Sequence, residues 1–239
     1  MKKLLLLLPL LGGPARAEDM PGMAMESGMA DMGDRLFAHA LLDQFEGRLP
    51  DQLRWDGQGW IGGDYDKLWI KSEGTAVNGR VEDGRHELLY DRAVTTFFDL
   101  QAGLRADLDS LASRQWAAIG VQGLAPYFLD VEASFYIGDA GRTAARFQMS
   151  YDLLLTQRLI LQPEAELNLY GSSDPARRTG SGISDLDAGV RLRYEITRKV
   201  APYLGLSYRG AFGGTADYAR QAGESVSDAR VVIGLRAWY

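Results

Sequence analysis

The chain has 239 residues, 26 basic against 32 acidic, a formal charge of −6, no cysteine and a mean hydropathy of −0.18. The acidic balance argues against nucleic acid as a partner and favours cations. Without cysteine there are neither disulfides nor thiolate metal sites, so methionine is the softest ligand available.

In chain order, Lys2 and Lys3, an apolar run from Leu4 to Leu11 and small residues ending in Ala15-Arg16-Ala17 predict a signal peptide over residues 1–17. Its removal leaves 23 basic against 32 acidic residues, a net charge of −9. No later stretch approaches the roughly 18 to 20 consecutive apolar residues of a membrane helix. Residues 18–34 carry Met20, Met23, Met25, Met29 and Met32 among glycine, alanine and acidic residues. Such a segment has too little apolar bulk for a core and is expected to be a disordered, flexible tail on the periplasmic side.

From residue 35 to 239 the period is two. Phe98, Leu100, Ala102 and Leu104 alternate with Asp99, Gln101 and Arg105. Tyr127, Leu129, Val131, Ala133, Phe135 and Ile137 alternate with Asp130, Glu132 and Ser134, and Ala145, Phe147, Met149, Tyr151, Leu153 and Leu155 with Arg146, Gln148, Ser150 and Asp152. Leu159 to Leu169, Asp185 to Ile196 and Val226 to Tyr239 repeat the dyad. Apolar residues on one face and charges on the other, over many segments of about ten residues, are the mark of a transmembrane antiparallel up-and-down β-barrel in an outer membrane. Ten strands follow from Asp66 onward. Phe37 to Arg48 and Leu53 to Gly62 bring the number to twelve, with ten as the alternative, because Leu41, Leu42 and Phe45 also suit one side of an amphipathic helix. Turns near 123–126, 156–158 and 197–200 are short and belong to the periplasm; connections near 107–113, 171–182 and 213–225 are long and belong outside.

Two constellations carry chemistry. Thioether sulfur suits Cu(I), and the spacing of Met20, Met23, Met25, Met29 and Met32 lets a flexible segment wrap one soft monovalent ion, copper or silver, with Asp19, Glu26, Asp31 and Asp34 as oxygen donors for Cu(II). The bland alternative is a tail whose sulfurs scavenge oxidants. The second constellation is the inward set: Lys71, Glu73, Arg85, Glu87, Asp91, Asp99, Arg105, Asp130, Glu132, Arg146, Asp152, Glu164, Glu166, Asp187, Arg191, Arg193, Arg209, Arg230 and Arg236. In so narrow a barrel these either pair across the interior as a plug or line an ion path, with Asp130, Glu132, Glu164 and Glu166, on neighbouring strands, as the place for a cation to linger. Only His39 and His86 are present. A hydrolase built from Ser72, Ser110 or Ser113 with His86 has no supporting spacing, and no enzyme activity is expected.

The segments MPGMAMESGMADM from Met20, LLDQFEGR from Leu41, WIGGDYDKLWIKSEG from Trp60, ELLYDRAVTTFFDLQAGLR from Glu87, WAAIGVQGLAPY from Trp116, GRTAARFQ from Gly141, LLTQRLILQP from Leu154, SGISDLDAGVRLRYEI from Ser181 and FGGTAD from Phe212 together resemble the copper resistance protein B family of outer-membrane proteins. The resemblance implies a periplasm-facing tail that binds copper and a barrel that takes part in copper efflux or sequestration beside a periplasmic multicopper oxidase. Tails of that family often carry histidine among the methionines. This one carries none, which implies a methionine-only Cu(I) site for one or two ions. The rival expectations are a general small-solute channel and a plugged structural barrel.

Overall fold

The computed structural model describes residues 36–239. The expected signal peptide, the methionine segment and the domain boundary at residue 34 lie outside them. Strands β1 (Phe37–Arg48), β2 (Gln52–Gly62), β3 (Asp66–Val77), β4 (Arg80–Ala93), β5 (Phe98–Asp107) and β6 (Arg114–Ala125) are followed by β7 (Leu129–Gly138) and β8 (Thr143–Tyr151, continued by Leu153–Leu154). Then come β9 (Leu159–Tyr170), β10 (Gly182–Tyr194), β11 (Val200–Ala211), helix α1 (Gly213–Gln221) and β12 (Ser227–Trp238). Each strand is antiparallel to the next, and β12 pairs back onto β1, with Leu41 opposite Trp238 and Arg48 opposite Val232. The sheet therefore closes on itself as an up-and-down barrel of twelve strands, not ten, and leaves no open edge to the bilayer.

Alternation sorts the side chains inside out. Leu68, Ile70, Leu104, Ile119, Phe135, Leu204, Leu206 and Ile233 are exposed on the outer face. Glu46, Arg48, Asp91, Arg105, Arg146, Glu166 and Arg191 are buried in the lumen. This is the arrangement a chain adopts when its outer solvent is hydrocarbon.

Three local departures bear on the sequence reading. β1 is a strand and not a helix, and it carries a bulge: the register slips between Leu42 and Gln44 against β2 and between Leu42 and Phe45 against β12. Before the slip Leu41 and Asp43 face the lumen; after it Gln44, Glu46 and Arg48 do. An inserted residue flips the parity of everything beyond it, which is why the segment also fits a helical period. Tyr127, assigned from sequence to the outer face of a strand, instead sits in the turn Pro126–Phe128 with φ 68°. In β8 the break at Asp152 faces Pro163, which lies between Leu161 and Glu164, the partners of Leu153 and Ser150. Proline has no N–H to give the ladder.

Both ends of the barrel chain lie together, since Ala40 and Tyr239 exchange backbone hydrogen bonds of 3.0 and 2.9 Å. At this terminal end every connection is short (63–65, 94–97, 126–128, 155–158 and 195–199). The opposite, loop end carries the long connections 108–113, 171–181 and 212–226, together with short turns at 49–51, 78–79 and 139–142. At 78–79, Asn78 and Gly79 both take positive φ, 50° and 78°, the Asn-Gly turn that matches the twist of a two-residue hairpin.

The inside-out sorting sets a testable contrast. Leu206→Arg, on the lipid face near the middle of β11, is expected to cost about 2–4 kcal/mol in urea titrations of the barrel refolded into lipid vesicles. Ser207→Ala, one residue on but facing the lumen, should cost well under half of that.

Candidate functional site

The lumen is built in layers. Halfway along it, Arg146 of β8 reaches across to Glu73 of β3 at 2.7 Å and to Glu166 of β9 at 3.0 Å. Arg85 of β4 adds 2.8 Å to Glu73, and Arg54 of β2 lies 3.4 Å from Glu166. Beside them Arg191 bridges Glu46 and Glu164 at 2.8 and 2.9 Å, and Gln44 donates to Glu164. Arg48 holds Glu46 and Asp187 at 2.8 Å each, and the Tyr203 hydroxyl donates to Glu46 at 2.9 Å. Some of these partners are neighbours in the sheet, but Arg146 with Glu73 and Arg54 with Glu166 join strands on opposite sides of the ring. The pairs therefore fill the bore instead of lining it.

One wall of the lumen, from β3 to β9, carries an apolar cluster, whereas the loop end of the β1, β10 and β11 side stays charged, with Arg48 on Asp187 at 2.8 Å and Arg209 3.7 Å from Asp83. Leu89, Trp116, Ala118, Tyr136 and Ala144 form a buried cluster, with Trp69 and Tyr170 packed against it. Arg105 lies 4.5 Å from the Tyr136 ring and 5.5 Å from that of Trp116, and it pairs with Asp107 at 2.7 Å. Below the ionic layer, towards the terminal end, the lumen instead opens into a cavity of about 470 Å³.

That vestibule has a charge bias. Eight carboxylates line it, among them Asp43, Asp56, Glu73, Asp130 and Glu132, against four cations, Lys71, Arg85, Arg146 and Arg236. Some are neutralised locally: Lys71 holds Glu132 at 2.7 Å and Arg236 holds Asp43 at 2.8 Å. Asp56 and Asp130 have neither hydrogen-bond nor ion-pair partners among the described residues. At the rim Trp60 and Trp69 lie 6.3 Å apart, with Lys67 5.8 Å from the Trp60 ring and His39 6.2 Å from it.

The inward positions read from sequence fall in the lumen, but their grouping differs in one respect. Asp130 and Glu132 belong to β7 and Glu164 and Glu166 to β9, with β8 between them. Three of the four are already paired, Glu132 with Lys71, Glu164 with Arg191 and Glu166 with Arg146. The unpaired set is Asp130 with Asp56. The sequence reading missed Gln44, Glu46 and Arg48 because of the bulge. Arg54 and Asp56 were within reach, since they alternate with Leu53 and Trp55. Ser72 and His86 are register partners on the outer face of β3 and β4, with Trp55 donating to Ser72 at 3.3 Å.

Donor chemistry divides the chain. Among the described residues no three His, Asp or Glu side chains converge as a metal cage. Six of the seven methionines precede residue 36, and the seventh, Met149, is exposed on the outer face. Inside the vestibule the donors are carboxylate oxygens, with the His39 imidazole at its rim; the sulfur donors Met20, Met23, Met25, Met29 and Met32 lie outside the described residues.

A family model described as copper resistance protein B precursor matches residues 36–239. The chain is 52% identical over 187 residues to the copper resistance protein B homolog of Pseudomonas syringae pv. tomato, a match covering 78% of this chain and 64% of that protein. It is 43% identical over 202 residues to copper resistance protein B of Escherichia coli, covering 83% of this chain and 68% of that one. The match thus spans about two thirds of the length of either relative. Among solved structures, the NanC porin superposes with a TM-score of 0.52 at 11% identity, covering 84% of this chain and 99% of that one. That likeness is one of fold, the outer-membrane barrel.

The central ionic layer predicts a large penalty for removing one member. Arg146→Ala should destabilise the refolded barrel by roughly 3–5 kcal/mol in urea titration, because Glu73 and Glu166 lose their shared cation. Removing one cation with one carboxylate, as Arg146→Met with Glu166→Gln, should recover part of that loss, because Arg85 still holds Glu73 at 2.8 Å and Arg54 keeps Glu73 and Asp187 at 4.0 and 3.9 Å.

Proposed function

The chain belongs to the copper resistance protein B family, and on that premise we propose that it confers copper tolerance from the outer membrane by two separate means. A soft, sulfur-bearing segment captures Cu(I), and an acidic vestibule concentrates cations at the mouth of the barrel. The observation that carries this reading is the vestibule: about 470 Å³, eight carboxylates against four cations, with Asp56 and Asp130 unpaired.

A cavity of one sign with low-dielectric walls focuses field lines and raises the local concentration of counter-ions. Oxygen donors on rigid strands attract a cation without holding a soft one tightly, whereas thioethers match Cu(I) and release it readily. In this proposal Met20, Met23, Met25, Met29 and Met32 lie on the periplasmic side and do the capturing. The chain enters the barrel at Phe37, at the end where the vestibule opens. Copper is cargo here, and a periplasmic multicopper oxidase would act on the same pool. The steps are binding and charge attraction, with no covalent chemistry assigned to any barrel residue.

A plugged barrel that sequesters without transporting is the second reading, favoured by the ionic layer that spans the bore from Arg54 to Arg146. The two readings differ in planar bilayers: the sequestering barrel shows no copper-dependent conductance.

Anaerobic titration of the full chain with Cu(I) against a competing chelator is expected to give tight binding. That binding should be lost when Met20, Met23, Met25, Met29 and Met32 are all changed to Leu and kept when Asp56 and Asp130 are changed to Asn. Equal binding by the methionine variant would move the soft site elsewhere and sink the assignment. Separately, Asp56→Asn with Asp130→Asn should weaken the salt-dependent enrichment of a cationic spin probe in the vestibule several-fold. An unchanged enrichment would remove the vestibule from the mechanism.

A further inference from the structure

The loop end is closed by a segment built as a single unit. Residues 171–181 fold back on themselves, with Asp174 and Thr179 exchanging backbone hydrogen bonds of 2.8 and 3.1 Å around the short turn Pro175–Arg177. The Asp174 carboxylate also accepts from the Ala176 N–H at 3.2 Å. Glycines flank the unit: Gly171 before it and Gly182, with φ +87°, after it.

Ion pairs then tie this unit across the mouth. Arg177 donates to Asp109 at 2.7 Å and to the Ala112 carbonyl at 2.7 Å, both in the connection 108–113. Arg114, at the start of β6, donates to Asp174 at 2.8 and 3.2 Å, and Arg142 approaches Asp174 at 3.5 Å. On its other flank the unit rests on α1. The Gly180 N–H donates to Thr215 at 2.8 Å, and a Cβ on Gly180 would come within 2.5 Å of Gly214. Between the unit and Trp116 and Tyr170 beneath it remains a gap of about 10 Å³. That is no more than the space one water needs.

We propose that residues 171–181 are a hinged lid over the loop end of the lumen, latched shut by Arg177 on Asp109 and by Asp174 on Arg114, and that unlatching it gives solvent on that side access to the lumen. Fixed loops also cover barrel mouths, but the geometry differs here. The segment is internally cross-linked, and its cross-mouth ties are charged side chains, whereas on its other side it is fastened by the Gly171–Thr143 and Gly180–Thr215 hydrogen bonds and by Arg178 on Glu224. Cutting the cross-mouth ties leaves a unit that swings as a body about the fastened side. The lid does not depend on which cation the vestibule attracts.

Asp174 gives the latch a pH dependence. The hydrogen bond from Arg114 and the charge of Arg142 hold its carboxyl below the usual carboxylate range. The other charged groups around the latch are Asp139, which pairs with Arg142, and Arg177 with Asp107 and Asp109. A carboxylate with a depressed latched-state pKa contributes fully above its ordinary pKa, and its contribution is lost as pH falls through the depressed value. The lid is therefore shut at neutral pH and loosens only below about pH 4.

The absence of cysteine allows a direct test. Ala144→Cys places one thiol in the buried cluster under the lid, and Gln58→Cys places one in the vestibule. In the full chain purified in detergent, a small cationic methanethiosulfonate should label position 144 slowly. Labelling should be about tenfold faster once Arg177→Ala and Asp174→Asn remove the latch, the shift expected from two partly buried ion pairs of ordinary strength. Labelling at position 58 should not change. The swap Asp109→Arg with Arg177→Asp should restore slow labelling at 144. Equal rates at 144 with and without the latch would overturn the proposal. So would parallel acceleration at both positions, since that reports a loosened barrel.

Discussion

A lumen surrounded by hydrocarbon cannot share its charges with bulk water, so a buried charge needs a partner inside the barrel. This constraint organises the barrel. Arg146 is useful to the fold because it reaches Glu73 on the far wall while holding Glu166 on the neighbouring strand, and Arg191 because it joins Glu46 to Glu164. Side chains on opposite strands act as struts, and a twelve-stranded ring is narrow enough for an arginine to span. Ionic struts are a weak source of stability compared with apolar packing of equal volume, but breaking one is expensive because its partner is left charged and buried.

The same constraint explains why the two ends differ. On the wall from β3 to β9, towards the loop end, aromatic side chains pack inside, with Arg105 stacked between Trp116 and Tyr136. Towards the terminal end the wall keeps its charges with fewer cross-bore pairs, Lys71 with Glu132 among them, and the space between becomes the vestibule. Asp56 and Asp130 can stay unpaired there because the cavity admits water. A cation meets one acidic, open end and one end closed by paired charges and aromatic packing.

Division of labour between hard and soft donors follows from composition. The strands supply carboxylates in fixed positions, good for attracting charge. Thioethers are concentrated before residue 36, and the single methionine beyond it points to lipid. A family built around copper resistance thus carries, in this chain, a barrel without a soft site in its described residues and a segment with little else.

The sequence by itself determined the architecture and the sorting of faces. An apolar side chain at every second position has a stable place only against lipid when the intervening positions are charged, as Leu159 to Leu169 against Gln162, Glu164, Glu166 and Asn168 make plain. It also located the long connections. What it left open were the pairings, because parity says that Glu132 and Glu166 point inward but not that Lys71 and Arg146 already neutralise them. The bulge at Asp43 was hidden for a related reason: one extra residue in β1 is stabilised by what β2 and β12 offer on either side, and local periodicity carries no trace of either neighbour. The vestibule, the struts and the lid are all contacts between residues tens of positions apart, so only closure of the ring decided which charges meet and which remain free.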